Sequence, residues 1–150
     1  MVKFPFTVFG ILSVYFVYLL GKKWFNPTVG LLSSGYMASI QFMVMHSQIA
    51  RPYASGLFFS LLMLYYWSNL MMDPQKNFYR NLLLFVISVS LCTYNHHFSL
   101  LLAFIVSVSG LFIIQREYLF KYILSGFVIF LLYIPHLKIF LYQLKIGGVG

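Results

Sequence analysis

Residues 46–54 read HSQIARPYA and separate two apolar runs, Thr28–Met45 and Pro52–Met72, each about as long as a bilayer-spanning helix. An arginine costs about 2.5–3.5 kcal/mol at the centre of a spanning helix and less at the membrane boundary, where it still marks a candidate functional site. Pro52 disfavours α geometry at Arg51 and suits the first turn of a helix. The chain is therefore expected to turn at Arg51 and to present the guanidinium at the membrane face.

The composition indicates an integral membrane protein. The 150 residues are 61% hydrophobic and only 8% charged, with a mean hydropathy of +0.88. A soluble domain has about 25% charged residues, so this chain has too few to cover a surface in water. The length allows about five or six spans of ~20 residues with short connections. We therefore expect one all-α transmembrane domain over residues 1–150, without a separate soluble domain.

Six apolar segments are predicted to form a polytopic bundle of about six transmembrane helices. The fourth is short for a full span and has to extend into the flanking residues, from Tyr79 at its start and up to His96 at its end. The first follows Lys3 and resembles a signal peptide, but the GKKW sequence after it is a poor cleavage site, so it is interpreted as a retained span. The segments are Phe4–Leu20, Thr28–Met45, Pro52–Met72, Leu82–Tyr94, Phe98–Ile114 and Leu119–Leu141.

The basic residues predict the orientation of the bundle. They lie at the ends of the apolar runs and do not form one patch, so the net charge of +8 does not indicate nucleic-acid binding. The positive-inside rule places the breaks GKKWFNP, DPQKNFYRN and QREYLFK on the cytoplasmic side. Arg51 and the histidines then fall together on the opposite side. Cys92 lies inside an apolar run and is interpreted as a packed membrane cysteine.

The polar residues predicted on the non-cytoplasmic side suit a phosphate-bearing lipid. Arginine makes bidentate contacts to phosphate, a tyrosine hydroxyl can donate a further hydrogen bond, and imidazole can contact phosphate or sugar or bind a divalent metal. In the alternative interpretation the arginine extends to lipid headgroups and the histidines bond to backbone carbonyls. Adjacent histidines point in different directions, so the pair is a weak metal signal, and no metal ligand is assigned. The candidate residues are Gln48, Arg51, Tyr53, His96, His97 and His136.

Three stretches of the chain resemble the membrane core of the GT-C glycosyltransferases. They are HSQIARPYASGLF, YNHHFSLLLA and LLYIPHLKIFLYQLKIGGVG, and the closest group is the bacterial relatives of the dolichyl-phosphate-mannose protein mannosyltransferases. The first stretch resembles the Ser-Gln-x-Ala-Arg-Pro-Tyr element of that family. The second stretch contains a histidine-bearing turn, and the third contains a Pro-kinked span near a Gly-Gly segment. Both features resemble those of the family.

The resemblance implies transfer of a sugar from a polyprenyl-phosphate donor on the non-cytoplasmic face of a bacterial cell membrane. It also implies a carboxylate base in an outer loop, yet no acidic residue is predicted on that side and Ile49 replaces an acidic residue often found in the arginine element. The catalytic base is therefore unassigned, and we expect the chain to be a fragment of a longer membrane domain. The alternatives are a non-catalytic membrane subunit and a small transporter-like protein.

Overall fold

A computed structural model describes residues 4–40, 52–95 and 97–147, and among these the side chains of 4–40, 53–95, 98–138 and 142. The described residues form helices joined by short turns and contain no strand. The predicted all-α class is confirmed. The helices are α1 (Phe4–Trp24), α2 (Pro27–Ser39), α3 (Pro52–Met72), α4 (Phe78–Asn95), α5 (His97–Ile113) and α6 (Arg116–Gly147).

Most helices follow the predicted apolar segments, but α2 ends at Ser39 and Ile40 is extended, whereas the predicted segment ran to Met45; residues 41–45 lie outside the described residues. Helix α3 has the predicted bounds, and α4 is longer than its apolar run because it begins at Phe78, in the polar stretch before the run. Helix α6 continues through Pro135 to Gly147. Among the described residues, two helical stretches are long and apolar enough to cross a membrane, Phe4–Trp24 and the Arg116–Lys138 part of α6. Together with the composition, they identify a helical membrane protein.

Helices α3 and α4 form the centre of the bundle. Helix α3 packs against α1, α4 and α5, and α4 packs against α3, α5 and α6. Met63 and Leu70 of α3 and Phe85 and Cys92 of α4 are almost completely buried between them, so the prediction that Cys92 is packed is confirmed. Large apolar side chains lie on the outside instead, among them Phe98, Phe104, Phe112, Phe120 and Phe127. This outward apolar surface is what a lipid environment requires.

Helices α1 and α2 form a tight hairpin. Asn26 begins α2 by accepting a 2.8 Å hydrogen bond from the backbone N–H of Val29, and Pro27 occupies the first turn. The two backbones approach so closely at Gly21 and Gly30 that a methyl group added at Gly30 would lie 2.7 Å from the carbonyl oxygen of Tyr18. Small residues permit such close approach between membrane helices. The hairpin therefore depends on the absence of a side chain at this crossing.

Replacing Gly30 by alanine is expected to destabilise the protein. Overpacking costs about 1–3 kcal/mol, which outweighs the ~0.5–1 kcal/mol that alanine gains over glycine in a helix. Gly35→Ala is the matched control, because nothing lies within 4 Å of a methyl group at that position on the same helix. Thermal unfolding in detergent should show a lower Tm for Gly30→Ala and an equal or higher Tm for Gly35→Ala. Equal shifts in the two variants would contradict the close approach.

Candidate functional site

One end of the bundle is built by polar contacts among α3, α4 and α6. Near the start of α3, the Ser55 hydroxyl donates a 3.2 Å hydrogen bond to Oδ1 of Asn95, the last residue of α4. The neighbouring Tyr94 donates its hydroxyl hydrogen to the carbonyl oxygen of Leu132 in α6 and contacts the His136 ring, with 4.9 Å between ring centroids. These contacts define what we call the histidine end.

Three of the predicted site residues lie in described parts of this end. Tyr53 lies exposed in the first turn of α3 and lines a pocket of about 220 Å³ together with Phe98 and Ser99 of α5. His97 is the first residue of α5 and lies two positions after Asn95, the last residue of α4. His136 is half-buried and contacts Tyr94 and Tyr133.

The other predicted site residues, Gln48, Arg51 and His96, lie outside the described residues. Arg51 directly precedes α3, and His96 lies between α4 and α5, so the described helices place the neighbours of both residues at the histidine end. The chemical roles given to these three residues remain predictions.

Ser55 and Asn95 join two of the predicted segments but were not among the predicted site residues. Gly56 allows this junction, because a methyl group there would lie 2.8 Å from the Asn95 amide nitrogen and 3.2 Å from the Ser99 hydroxyl. Both residues stand inside quoted stretches, Ser55 after the arginine element and Asn95 before the two histidines. The signal available in the sequence was the presence of uncharged polar residues within apolar segments, where such residues often form hydrogen bonds between helices.

An apolar groove of about 500 Å³ lies between α4, α5 and α6. Phe85, Phe104, Leu111 and Ile129 contribute to its walls, and small residues such as Gly126 leave it open. Tyr133, which contacts His136, lines it near the histidine end. The groove is shaped for an extended apolar group, since its lining has almost no polar surface.

The opposite end of the bundle contains most of the charge. Lys23 at the end of α1 forms a 2.9 Å ion pair with Asp73 after α3 and donates a second hydrogen bond to the Asn69 side chain. The hydrogen bond from Lys23 lowers the pKa of the Asp73 carboxyl below its usual value, so Asp73 stays ionised at neutral pH. At the start of α6, Lys121 donates a 2.8 Å hydrogen bond to the Tyr79 hydroxyl. We call this region the charged end.

The two ends differ in the chemistry they can perform. The sequence has only two acidic residues, Asp73 and Glu117, and both lie at the charged end. The histidine end has hydroxyl, amide and imidazole groups but no carboxylate. Within the described residues, no group of three or more histidine, cysteine or acidic side chains lies together as a metal site would require. The described hydroxyl and amide groups of the histidine end can donate hydrogen bonds but cannot act as a carboxylate base.

Comparison with known families agrees with the resemblance found in the sequence. The family model described as dolichyl-phosphate-mannose-protein mannosyltransferase matches residues 1–139. No curated protein and no solved structure has a significant match to the chain. Because the family match extends over nearly the whole sequence, the chain belongs to the dolichyl-phosphate-mannose-protein mannosyltransferase family of GT-C membrane glycosyltransferases.

Proposed function

We propose that the chain is part of a membrane glycosyltransferase that takes its sugar from a polyprenyl-phosphate donor on the non-cytoplasmic face, and that the donor phosphate binds at the histidine end. The observation that carries the proposal is the Ser55–Asn95 hydrogen bond. It holds the start of α3, which follows Arg51, against the junction of α4 and α5, which contains His96 and His97. Residues that are more than 40 positions apart in the chain can thereby serve one ligand.

The residues proposed for the donor phosphate have complementary roles. Arg51 supplies a planar guanidinium that can contact two phosphate oxygens at once and stays charged at the membrane boundary. Gln48 and the Tyr53 hydroxyl add neutral donors. The imidazoles of His96, His97 and His136 can donate to phosphate or to the sugar hydroxyls.

The apolar groove between α4, α5 and α6 suits the polyprenyl chain of the same donor. Its walls are almost entirely apolar, and its volume of about 500 Å³ can accommodate part of an extended lipid tail. Tyr133 lines the groove and contacts His136, which puts the groove beside the proposed phosphate site. One donor molecule could then place its tail in the groove and its phosphate among the histidines.

A non-catalytic membrane subunit is the second candidate. It is favoured by the position of both acidic residues at the charged end, because the histidine end then has no carboxylate to deprotonate an acceptor. This candidate predicts that the chain does not bind the donor lipid by itself. Donor binding therefore distinguishes the two candidates.

Replacing Arg51 by alanine is expected to weaken donor binding by about 10-fold to 100-fold, the effect of losing a charge-assisted hydrogen bond worth about 1.5–3 kcal/mol. Labelling by a photoreactive polyprenyl-phosphate mannose, titrated against the detergent-solubilised chain, measures the affinity. Arg116→Ala is the control, because it removes the same charge from the exposed start of α6 at the charged end.

The affinity of the Arg116→Ala variant should equal that of the unmodified chain. Unchanged labelling of Arg51→Ala would remove Arg51 from the donor site. Absence of saturable labelling in the unmodified chain would favour the subunit over the enzyme.

Filling the apolar groove should weaken the same binding without touching the polar site. Gly126→Leu places a branched side chain where nothing lies within 4 Å of an added methyl group, so the substitution occupies the groove without displacing protein atoms close to the backbone. We expect about a fivefold loss of affinity for the photoreactive donor, equivalent to about 1 kcal/mol of lost contact. Gly35→Leu, at an equally open position outside the groove, should have no effect, and equal losses in both variants would argue against a lipid tail in the groove.

A further inference from the structure

A second pocket, with a volume of about 460 Å³, opens at the charged end between the ends of α1 and α3 and the start of α4. Four basic side chains and one carboxylate line it, which gives a net of three positive charges. They belong to Lys22, Lys23, Lys76, Arg80 and Asp73. The pocket lies at the opposite end from the histidines, and the proposed donor site does not use any of these residues.

The single carboxylate in this pocket is already neutralised. Asp73 forms its ion pair with Lys23, and the hydrogen bond from Lys23 lowers the pKa of the Asp73 carboxyl. Lys23 is also hydrogen-bonded to Asn69 and is largely buried, whereas Asp73 is exposed, so the pair lines the pocket on its Lys23 side. The remaining cations, Lys22, Lys76 and Arg80, line the pocket and form no ion pair among the described residues, although Lys76 contributes electrostatically to the lowered pKa of Asp73. Glu117, the other acid of the chain, does not line the pocket.

Local hydrogen bonds hold the backbone of the short connection between α3 and α4, which contains Lys76. The backbone N–H of Lys76 bonds to the Asp73 carbonyl oxygen at 3.1 Å, and the Asn81 side chain donates a 3.0 Å hydrogen bond to the Lys76 carbonyl oxygen. Asn77 has a φ of 58°, a left-handed conformation that asparagine adopts more readily than most residues. The backbone of the turn is therefore held by local hydrogen bonds, and Lys76 and Arg80 both line the pocket beside it.

We propose that this pocket binds a phosphate group carried at the membrane surface, with Arg80, Lys76 and Lys22 as its cationic contacts. A guanidinium and two ammonium groups around one cavity match the charge and the oxygen geometry of a phosphate. The side-chain amide of Asn77 adds a neutral donor to the lining. The pocket is large enough for the polar head of a phospholipid, whereas a bare phosphate would occupy only part of it.

The surroundings favour a lipid as the source of the phosphate. Trp24 lies beside the pocket at the end of α1, partly exposed, and its indole N–H donates a 2.7 Å hydrogen bond to Ser68. Tryptophan and tyrosine are typical of the membrane–water boundary, and each basic residue near an anionic membrane surface is worth about 1 kcal/mol of attraction. The chemistry of the pocket itself does not distinguish a lipid phosphodiester from inorganic phosphate, so the test has to include both.

Two variants with the same net charge distinguish binding inside the pocket from general electrostatic attraction to the protein surface. Arg80→Gln removes one positive charge from the pocket, and Arg116→Gln removes one from the same end of the bundle outside the pocket. The purified chain is placed in phosphatidylcholine nanodiscs that contain a few molecules of phosphatidylglycerol, and native mass spectrometry counts the phosphatidylglycerol that each variant retains. A parallel titration of lipid-free detergent samples with inorganic phosphate measures binding of the free anion.

We expect Arg80→Gln to lower phosphatidylglycerol retention about fivefold to tenfold, and Arg116→Gln to leave it unchanged. Binding of inorganic phosphate that is lost in Arg80→Gln alone would also support the pocket, with free phosphate as its source. Equal losses in both variants, or no binding of either ligand by the unmodified chain, would overturn the proposal. Labelling by the photoreactive donor is expected to be the same in both variants, so this test is independent of the proposed donor site.

Discussion

The structure depends on one constraint: a chain with so few charged residues has to satisfy its polar groups internally. Backbone groups in a lipid environment can do so only in helices or closed barrels, and this chain uses helices throughout its described parts. Serine hydroxyls inside the helices obey the same constraint by donating to carbonyl oxygens of their own helix. Such bonds are formed by Ser13, Ser68, Ser88 and Ser90, each to the residue four positions earlier.

The same constraint explains why small residues lie where helices approach closely and why many large aromatic residues face outward. Lipid tails are as apolar as leucine, so helices in a membrane gain from close packing and interhelical hydrogen bonds more than from apolar burial. Gly110 of α5 is an example of such a small residue. The Tyr122 hydroxyl of α6 donates a 3.0 Å hydrogen bond to the Ser107 carbonyl oxygen, and a methyl group at Gly110 would collide with that hydroxyl. The glycine makes room for a polar contact that joins the two helices.

The sequence predicted the helices better than it predicted their partners. Apolar length and the proline after Arg51 were enough to define α3, because both act locally along the chain. The start of α4 was predicted to within one residue, at Tyr79 where the helix begins at Phe78, but from the length that a span needs and not from apolar periodicity, because the first turns contain polar residues. The contacts Ser55–Asn95 and Lys23–Asp73 join residues 40 and 50 positions apart, and their pairing follows from helix packing that no local pattern contains.

The separation of the two ends limits the chemistry that these residues can support. Helix α3 alone has 21 residues, and at about 1.5 Å per residue it keeps Asp73 roughly 30 Å from Tyr53. A proton transfer needs the base within hydrogen-bond reach of the acceptor, so neither Asp73 nor Glu117 can act at the histidine end. A carboxylate that activates the acceptor at the histidine end would have to come from outside these 150 residues. Without such a carboxylate, an imidazole would have to accept the proton. In either case, the proposed donor site and the proposed phosphate pocket would lie at opposite ends of the bundle, and neither would supply a base to the other.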